Sequence, residues 1–455
     1  MSQIMILNGI VITMDSQNRV IKNGAVFVDG EEIIDVGKSE NIKKKYKADV
    51  IIDATRKVVL PGFVNAHTHL HQTFLRGLGH DLPLYEWIQQ AILASGEVMT
   101  DNDLYLSALL GYVENIRSGN TTVLCHHYLH TSQRSTDLVA RAAKDAGVRT
   151  VIARSYCDQV LSDVATPLKP FVEPLEAIRA DSERLIKTWH NRADGKIHIW
   201  PGPLTFDSCS LELWAVASEF AAKYKLGIHV HMNEVKNDVE FSEMTYGKRP
   251  FEVLADRGFL GPNLQAAHSV WVSKKEVELI RENNVKVVHN PVANMYLASG
   301  VAPIPEMLSQ GIKVALGTDG PASNNNQDML TCMKFAACLH KVYNLNATSI
   351  TAGQVLKMAT VGGAEALMIE RNIGSLEPGK KADIALINFW KTHIMPVHEP
   401  MGALVYCANM NDVDTVLIDG KLVMENGNVK SVDEDSVIRK SQQAADRIAE
   451  EINKR

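Results

Sequence analysis

Residues 58–69 read VVLPGFVNAHTH, an apolar, β-branched run that passes a Pro61-Gly62 break and ends on two histidines. Such a run suits a strand buried on both faces. The same shape returns as TTVLCHH (121–127), RTVIARSYCD (149–158), KIHIWPGP (196–203), GIHVHMNE (227–234), LQAAHSV (264–270), VKVVHNP (285–291) and KVALGTDG (313–320). Helical patterns lie between the runs, at 101–118, 135–146, 175–189, 211–224, 274–283 and 329–340. Strand alternating with helix implies parallel strands with crossovers, and eight such units predict a (β/α)8 TIM barrel. Segments 166–170 and 322–327 read as loops.

Both chain ends have a different texture. IMILNGIVITM, AVFVDGEEIIDVG and DVIIDATRKVVL alternate around turn signals at Asn8-Gly9 and Asp29-Gly30. KADIALINF (381–389) and LVYCANMNDVDTVLIDGKLVMENG (404–427) return to that pattern. These pieces predict one small β-sandwich domain from 1–56 and 373–430, a barrel over 57–372, and a C-terminal helix over 431–455.

Composition narrows the class. The chain has 455 residues, 45% of them apolar and 22% charged, with a net charge of −6. That is the make-up of a globular protein, not of a disordered, collagenous or disulfide-framed chain. No basic block points to nucleic acid. The six cysteines form no CxxC pair and read as reduced thiols. The first twenty residues lack the marks of a secretory signal, and no apolar run is long enough to span a bilayer. A cytoplasmic location without membrane or nucleic-acid partners is expected, with homo-oligomerisation.

In a TIM barrel the chemistry sits at the C-terminal strand ends. Here those ends carry His67, His69, His126, His127, His231, Glu234, His268, His289 and Asp319. His67 and His69, two apart on a strand, face the same side and offer two imidazoles to one divalent ion. His229 and His231 also share a face, so either is a candidate ligand; His231 stands nearer the strand end. Glu234, in the loop above, is placed to move protons beside such an ion, or is a surface carboxylate. Asp319 ends an apolar strand and needs a partner there, a metal or metal-linked water, unless it caps the following helix. His268 is a candidate to hydrogen-bond the nucleophile or the substrate heteroatom. His71, His126, His127 and His289 are weaker candidates; His80, His130, His190, His198, His340, His393 and His398 read as ordinary. Three histidines and one aspartate can hold one divalent ion, zinc first, with iron(II) and manganese(II) as alternatives, and bring a bound water toward a pKa of about 7. The fourth strand ends without the lysine that bridged two-metal barrels use, so a single ion is expected.

PGFVNAHTHLHQTFLRG, HMNE, AAHSVWVS, GTDGPASNN and GSLEPGKKADIALI together resemble the amidohydrolase superfamily, in its branch of hydrolytic deaminases and chlorohydrolases. That branch includes guanine, cytosine and thioadenosine/adenosylhomocysteine deaminases and the s-triazine enzymes, atrazine chlorohydrolase among them. The resemblance covers essentially the whole chain. It implies metal ligands at His67, His69, His231 and Asp319, a proton shuttle at Glu234 and a polarising histidine at His268. LRGLGHDLPLYEWI resembles the thioadenosine deaminases, but the proline and ribose-binding glutamate that follow the tryptophan there are missing from IQQAILASGEVM, where Glu97 stands one residue out of register. Gln72, SGVAPIPEM and DTVLIDGKLVMENG resemble the triazine hydrolases. Gly320-Pro321 after Asp319 is the deaminase form, where the chlorohydrolase has asparagine.

The expected activity is therefore hydrolytic release of ammonia from an amino-substituted N-heterocycle (purine, pterin, pyrimidine or s-triazine), ahead of dechlorination at the same site. An inactive scaffold barrel is the remaining reading, against which stands the retention of every candidate ligand. Gln72 is expected to pair with a ring edge, Trp87 to pack at the mouth, and Ser323 and Asn324 to touch a substituent.

Overall fold

The structure is a computed structural model that describes residues 3–159 and 171–454; the loop expected at 166–170 lies outside the described residues. Eight parallel strands carry the site: β1 (Phe63–Thr68), β2 (Asn120–His127), β3 (Arg149–Tyr156), β4 (Ile197–Pro203), β5 (Ile228–Met232), β6 (Leu264–His268), β7 (Lys286–His289) and β8 (Val314–Leu316). They form two four-stranded sheets, β1 to β4 and β5 to β8, each in sequential order. Every residue of β1, β2 and β3 is buried, which explains why these strands read as unbroken apolar runs instead of alternating. The sheets touch at two places. Thr205, just past β4, bridges in parallel to His231, and the Asp319 N–H donates to the His67 carbonyl at 3.0 Å.

Helices cross over between consecutive strands, and their starts follow local chemistry. Thr100 and Asp103 form a reciprocal cap on helix Asp101–Arg117, and Ser273 with Glu276 does the same for Lys274–Glu282. The Asp328 carboxylate accepts from the Leu330 and Thr331 N–H groups and starts Met329–Tyr343.

Both chain ends enter a third sheet of nine strands. Its hydrogen-bonded path runs 428–429, 421–425, 413–418, 384–388, 57–61, 3–12, 20–29, 32–38, with 50–53 pairing to the 3–12 strand. Strands from the two chain ends, which were expected to form one small β domain, are thus joined in a single hydrogen-bonded sheet. It encloses its own apolar core of Ile4, Val26, Ile33, Val59, Ile384 and Leu417, among others. The run 58–69 also divides. Lys57–Pro61 pairs antiparallel with Ile384–Asn388 in the mixed sheet, and only Phe63–Thr68 belongs to the parallel set. The switch falls on Gly62, where a Cβ would lie 2.1 Å from Thr121 Cγ2, so only glycine lets the two backbones approach.

A buried ion cluster joins the mixed sheet to the foot of the parallel strands. Arg149, opening β3, binds Asp383 at 3.2 Å and also Asp419. The C-terminal helix Glu434–Asn453 lies along Asp101–Arg117, tied by Arg117–Glu434 at 3.0 Å and by Arg447–Asp103. Among the described residues no helix is long and apolar enough to cross a membrane.

Candidate active site

Three imidazoles and one carboxylate converge where the two parallel sheets meet. Asp319 Oδ1 lies 3.3 Å from His67 Nε2 and 3.1 Å from His69 Nε2, and His231 Nε2 lies 3.2 Å from His69 Nε2. Asp319 and His268 both adopt left-handed backbone, with φ of 61° and 69°. That conformation is costly for non-glycine residues and is held here by the surrounding bonds. The Gly320 N–H donates to Asp319 Oδ1 at 2.8 Å, and Ser323 Oγ donates to Asp319 Oδ2 at 3.0 Å.

The hydrogen bonds behind the rings fix which nitrogens carry protons. His69 Nδ1 donates to the His126 carbonyl at 2.7 Å, and His231 Nδ1 to the Leu204 carbonyl at 2.6 Å. A neutral ring that donates from Nδ1 holds a lone pair at Nε2. His67 is set by a longer chain. Gln265 donates its amide to the Ala366 carbonyl, which turns Gln265 Oε1 toward His229 Nδ1 at 2.9 Å. His229 Nε2 must then accept from His67 Nδ1, at 2.7 Å. His67 Nε2 is left buried without a hydrogen-bond partner. His231 is thereby the member of its pair whose Nε2 meets the cluster, at His69, and His229 orients His67 from behind.

Burial drives the His67 ring down to a pKa of about 3 and His231 well below its ordinary value, so both are neutral near pH 7. Burial works against ionisation of Asp319 as well, while the Gly320 N–H and Ser323 hydroxyl that donate to its two oxygens favour the charged form. Three inward lone pairs around a buried carboxylate leave negative potential with no proton to offset it. Nitrogen and oxygen donors in this number suit one divalent ion such as zinc. The donor set therefore fits a metal, and the Nδ1 partners are the kind that metal-binding histidines use.

Above this cluster lies a cavity of about 790 Å³ including its open mouth. Glu234 projects into it from the loop after β5, its Oε2 3.6 Å from His268 Nε2 and its Oε1 accepting from Ser299 Oγ at 3.4 Å. Burial pushes the Glu234 carboxyl above the ordinary carboxylate range. His268 donates from Nδ1 to Asn294 Oδ1 at 2.8 Å, which leaves Nε2 free on the cavity side.

Gln72 and Ser323 line the cavity, and both are also held by the protein. Gln72 donates to Tyr128 OH at 2.7 Å and accepts from the Ala322 N–H at 3.3 Å. A Cβ on Gly320 would lie 1.8 Å from Gln72 Oε1, so the glycine after Asp319 makes room for that amide. Trp87 lines the cavity and donates to the Ala322 carbonyl at 3.2 Å, pinning its short helix to the loop after β8. Asn324 is the exception. Its amide donates to the Thr318 carbonyl at 2.7 Å, and it is not among the residues that line the cavity.

Of the other candidate histidines, His126 stays at the site, its ring centroid 4.7 Å from that of His231 and 5.7 Å from that of His69, and the rest separate from it. His289 and His340 bond to each other at 3.0 Å, and His71 and His127 are buried beside it without hydrogen-bond partners. Several residues had escaped sequence reading: the Gln265–His229 relay, Asn294 behind His268, Tyr128, and Gln327, whose Oε1 accepts from Thr68 Oγ1 at 2.7 Å while its amide donates to the Asp319 carbonyl at 2.9 Å. Gln265 is the one with a visible signal, being a polar residue inside the apolar run LQAAH.

A model of the amidohydrolase family matches residues 58–423. The chain is 39% identical over 435 residues to a 5-methylthioadenosine/S-adenosylhomocysteine deaminase of Thermoanaerobacter pseudethanolicus, covering 96% of each chain. It is 38% identical over 453 residues to a 5'-deoxyadenosine deaminase of Methanosarcina mazei, covering 100% of each. The crystal structure of atrazine chlorohydrolase from Arthrobacter aurescens complexed with zinc superposes with a TM-score of 0.91 at 26% identity, over 97% of this chain and 100% of that one. These likenesses go with a TIM-barrel-type α/β fold and a hydrolytic, metal-binding deaminase chemistry.

Proposed function

The chain belongs to the amidohydrolase family, and on that premise we propose that it hydrolyses the exocyclic amine of an adenosine-type purine nucleoside, releasing ammonia and leaving the 6-oxo purine. The observation that carries this reading is the cluster in which His67 and His69 Nε2 meet Asp319 and His231 Nε2 meets His69, beneath a cavity into which Glu234 and His268 project. The names of the relatives at 38–39% identity support the adenine nucleoside over the wider set of heterocycles. In this reading the two four-stranded sheets are halves of one (β/α)8 barrel spanning roughly 57–372, accompanied by a β domain from 1–56 and 373–430 and the helix at 431–455.

An ion held by His67, His69, His231 and Asp319 would supply Lewis acidity, making water at the site acidic enough to ionise near neutral pH. Asp319, kept ionised, accepts a proton from the attacking water. Glu234, whose acid form burial favours, gives its proton to the ring nitrogen next to the amine-bearing carbon, which makes that carbon electrophilic. His268 orients the water through the Nε2 that Asn294 leaves free. Water oxygen adds to the carbon, the C–N bond breaks, and the amine leaves as ammonia with the proton that Asp319 took. The proton left on the new hydroxyl then passes back to the Glu234 carboxylate, which gives the oxo form with the ring nitrogen still protonated and restores the acid, so no other reactant is needed.

The test is ammonia release from adenosine, 5'-deoxyadenosine and 5'-methylthioadenosine, with guanine, cytosine and melamine beside them and atrazine followed for chloride. The expected result is turnover of the adenosine-type compounds. Turnover of melamine or chloride release from atrazine, with none from the nucleosides, overturns the reading.

A further inference from the structure

The cavity has a second polar feature, away from the Asp319 cluster. Asp207, on the loop between β4 and helix Leu211–Tyr224, and Asp238, in the first turn of helix Lys236–Tyr246, both line it, with Thr205 and Tyr85. Asp238 has a local duty, since its Oδ2 accepts from the Glu234 N–H at 2.7 Å and the Val235 N–H at 3.1 Å. Asp207 is 7% exposed, and its Oδ1 is buried with no hydrogen-bond partner. A buried carboxylate oxygen without a donor costs free energy that a bound group can recover. Thr205 and the Asp207 and Ser208 N–H groups stand by the carboxylate and favour its charged form, but none closes on Oδ1. The rest of the wall is largely apolar, with Leu84, Trp87, Ile88 and Ile92 on it, and no lysine or arginine lines the cavity among the described residues.

We propose that Asp207, with Asp238 beside it, is a specificity subsite for hydrogen-bond donors on the arm that the substrate carries beyond its heterocycle, and that it excludes anionic arms. The donors are sugar hydroxyls or an ammonium group, which offer the same chemistry to a carboxyl. A phosphate or carboxylate arm would meet the oxygens of Asp207 and Asp238 and, among the described residues, no lysine or arginine on the wall. Burial raises both carboxyls, and the charge of Asp207 raises Asp238 further; a hydrogen-bond donor or a cation placed against the pair relieves both effects. This subsite rests on the deaminase reading, because it needs the heterocycle seated over Asp319.

The experiment is steady-state kinetics of the metal-loaded enzyme and of Asp207→Asn on adenosine, 9-methyladenine, 9-(3-aminopropyl)adenine and adenosine 5'-monophosphate. Calorimetric binding of inosine and 9-methylhypoxanthine gives a readout without chemistry. A hydrogen bond to a charged partner is worth about tenfold to a hundredfold. In Asp207→Asn the preference for adenosine or the aminopropyl compound over 9-methyladenine should fall by about that factor, carried by KM. Inosine should lose affinity relative to 9-methylhypoxanthine in step, and discrimination against the monophosphate should narrow. Whichever of the hydroxyl and ammonium arms loses more identifies the source of the donor. An equal change on all four compounds, or no change, overturns the subsite and leaves the deaminase reading standing. No turnover of any of the four by the wild-type enzyme overturns both.

Discussion

Replacing Glu234 by glutamine (Glu234→Gln) keeps the side chain's shape and its contacts with Ser299 and His268, at 3.4 and 3.6 Å, while removing its transferable proton. Glu234 is not among the groups that converge on Asp319, so the donor set stays whole and metal content should not change. General acid catalysis by one positioned group is worth about 10²–10⁴-fold, or roughly 3–5 kcal/mol in the barrier. The loss should fall on kcat and kcat/KM together, since the proton moves only as the bond forms. The pH profile gives a second check. Wild-type activity needs the acid form, so it should decline as pH rises through the raised pKa of Glu234. That alkaline limb should be missing from the residual activity of the glutamine variant. Ammonia release measured from pH 5 to 9, with metal content by elemental analysis on the same samples, reads all of this. Retention of more than about a tenth of wild-type kcat, or an unchanged alkaline limb, would refute the proton-donor role.

Gln265→Leu breaks the chain that fixes the His67 tautomer, and metal affinity should drop about 10–100-fold; competition with a chelator measures it, and excess zinc should restore turnover. Gly320→Ala drives a Cβ into Gln72 and displaces the loop that carries Asp319, so kcat/KM should fall by about a hundredfold with the fold intact by circular dichroism. Arg149→Met leaves Asp383 buried without its cation and Asp419 with only Lys196, at 3.5 Å, and should cost about 3–5 kcal/mol in urea unfolding; an unchanged midpoint would show that the cluster does not hold the mixed sheet in place.

What could be read from the sequence was what is local. HxH, AAH and GTD stand at the ends of apolar runs, so strand periodicity alone sends their side chains to one end of the parallel sheets. Choices between near neighbours were not legible. His229 and His231 share a face, and only the Leu204 carbonyl and the Gln265 amide, brought in from other strands, separate their duties. The run 58–69 hid a change of sheet because both halves are buried and apolar, and the reason for the break at Gly62 is a close approach by Thr121, far along the chain. Asn324 reads as a substrate contact because it follows Asp319, and the bond from its amide to the Thr318 carbonyl is not legible there. Asp207 gave no signal, since a lone acid in a loop is ordinary until the fold buries it.

Elemental analysis of the purified chain and of a His69→Ala variant, paired with ammonia release, bears most directly on the clustered lone pairs. About one divalent ion per wild-type chain is expected, with ion and activity lost together in the variant and in chelator-treated enzyme and returning to the latter with zinc. Full turnover from a chain that holds no ion would contradict it.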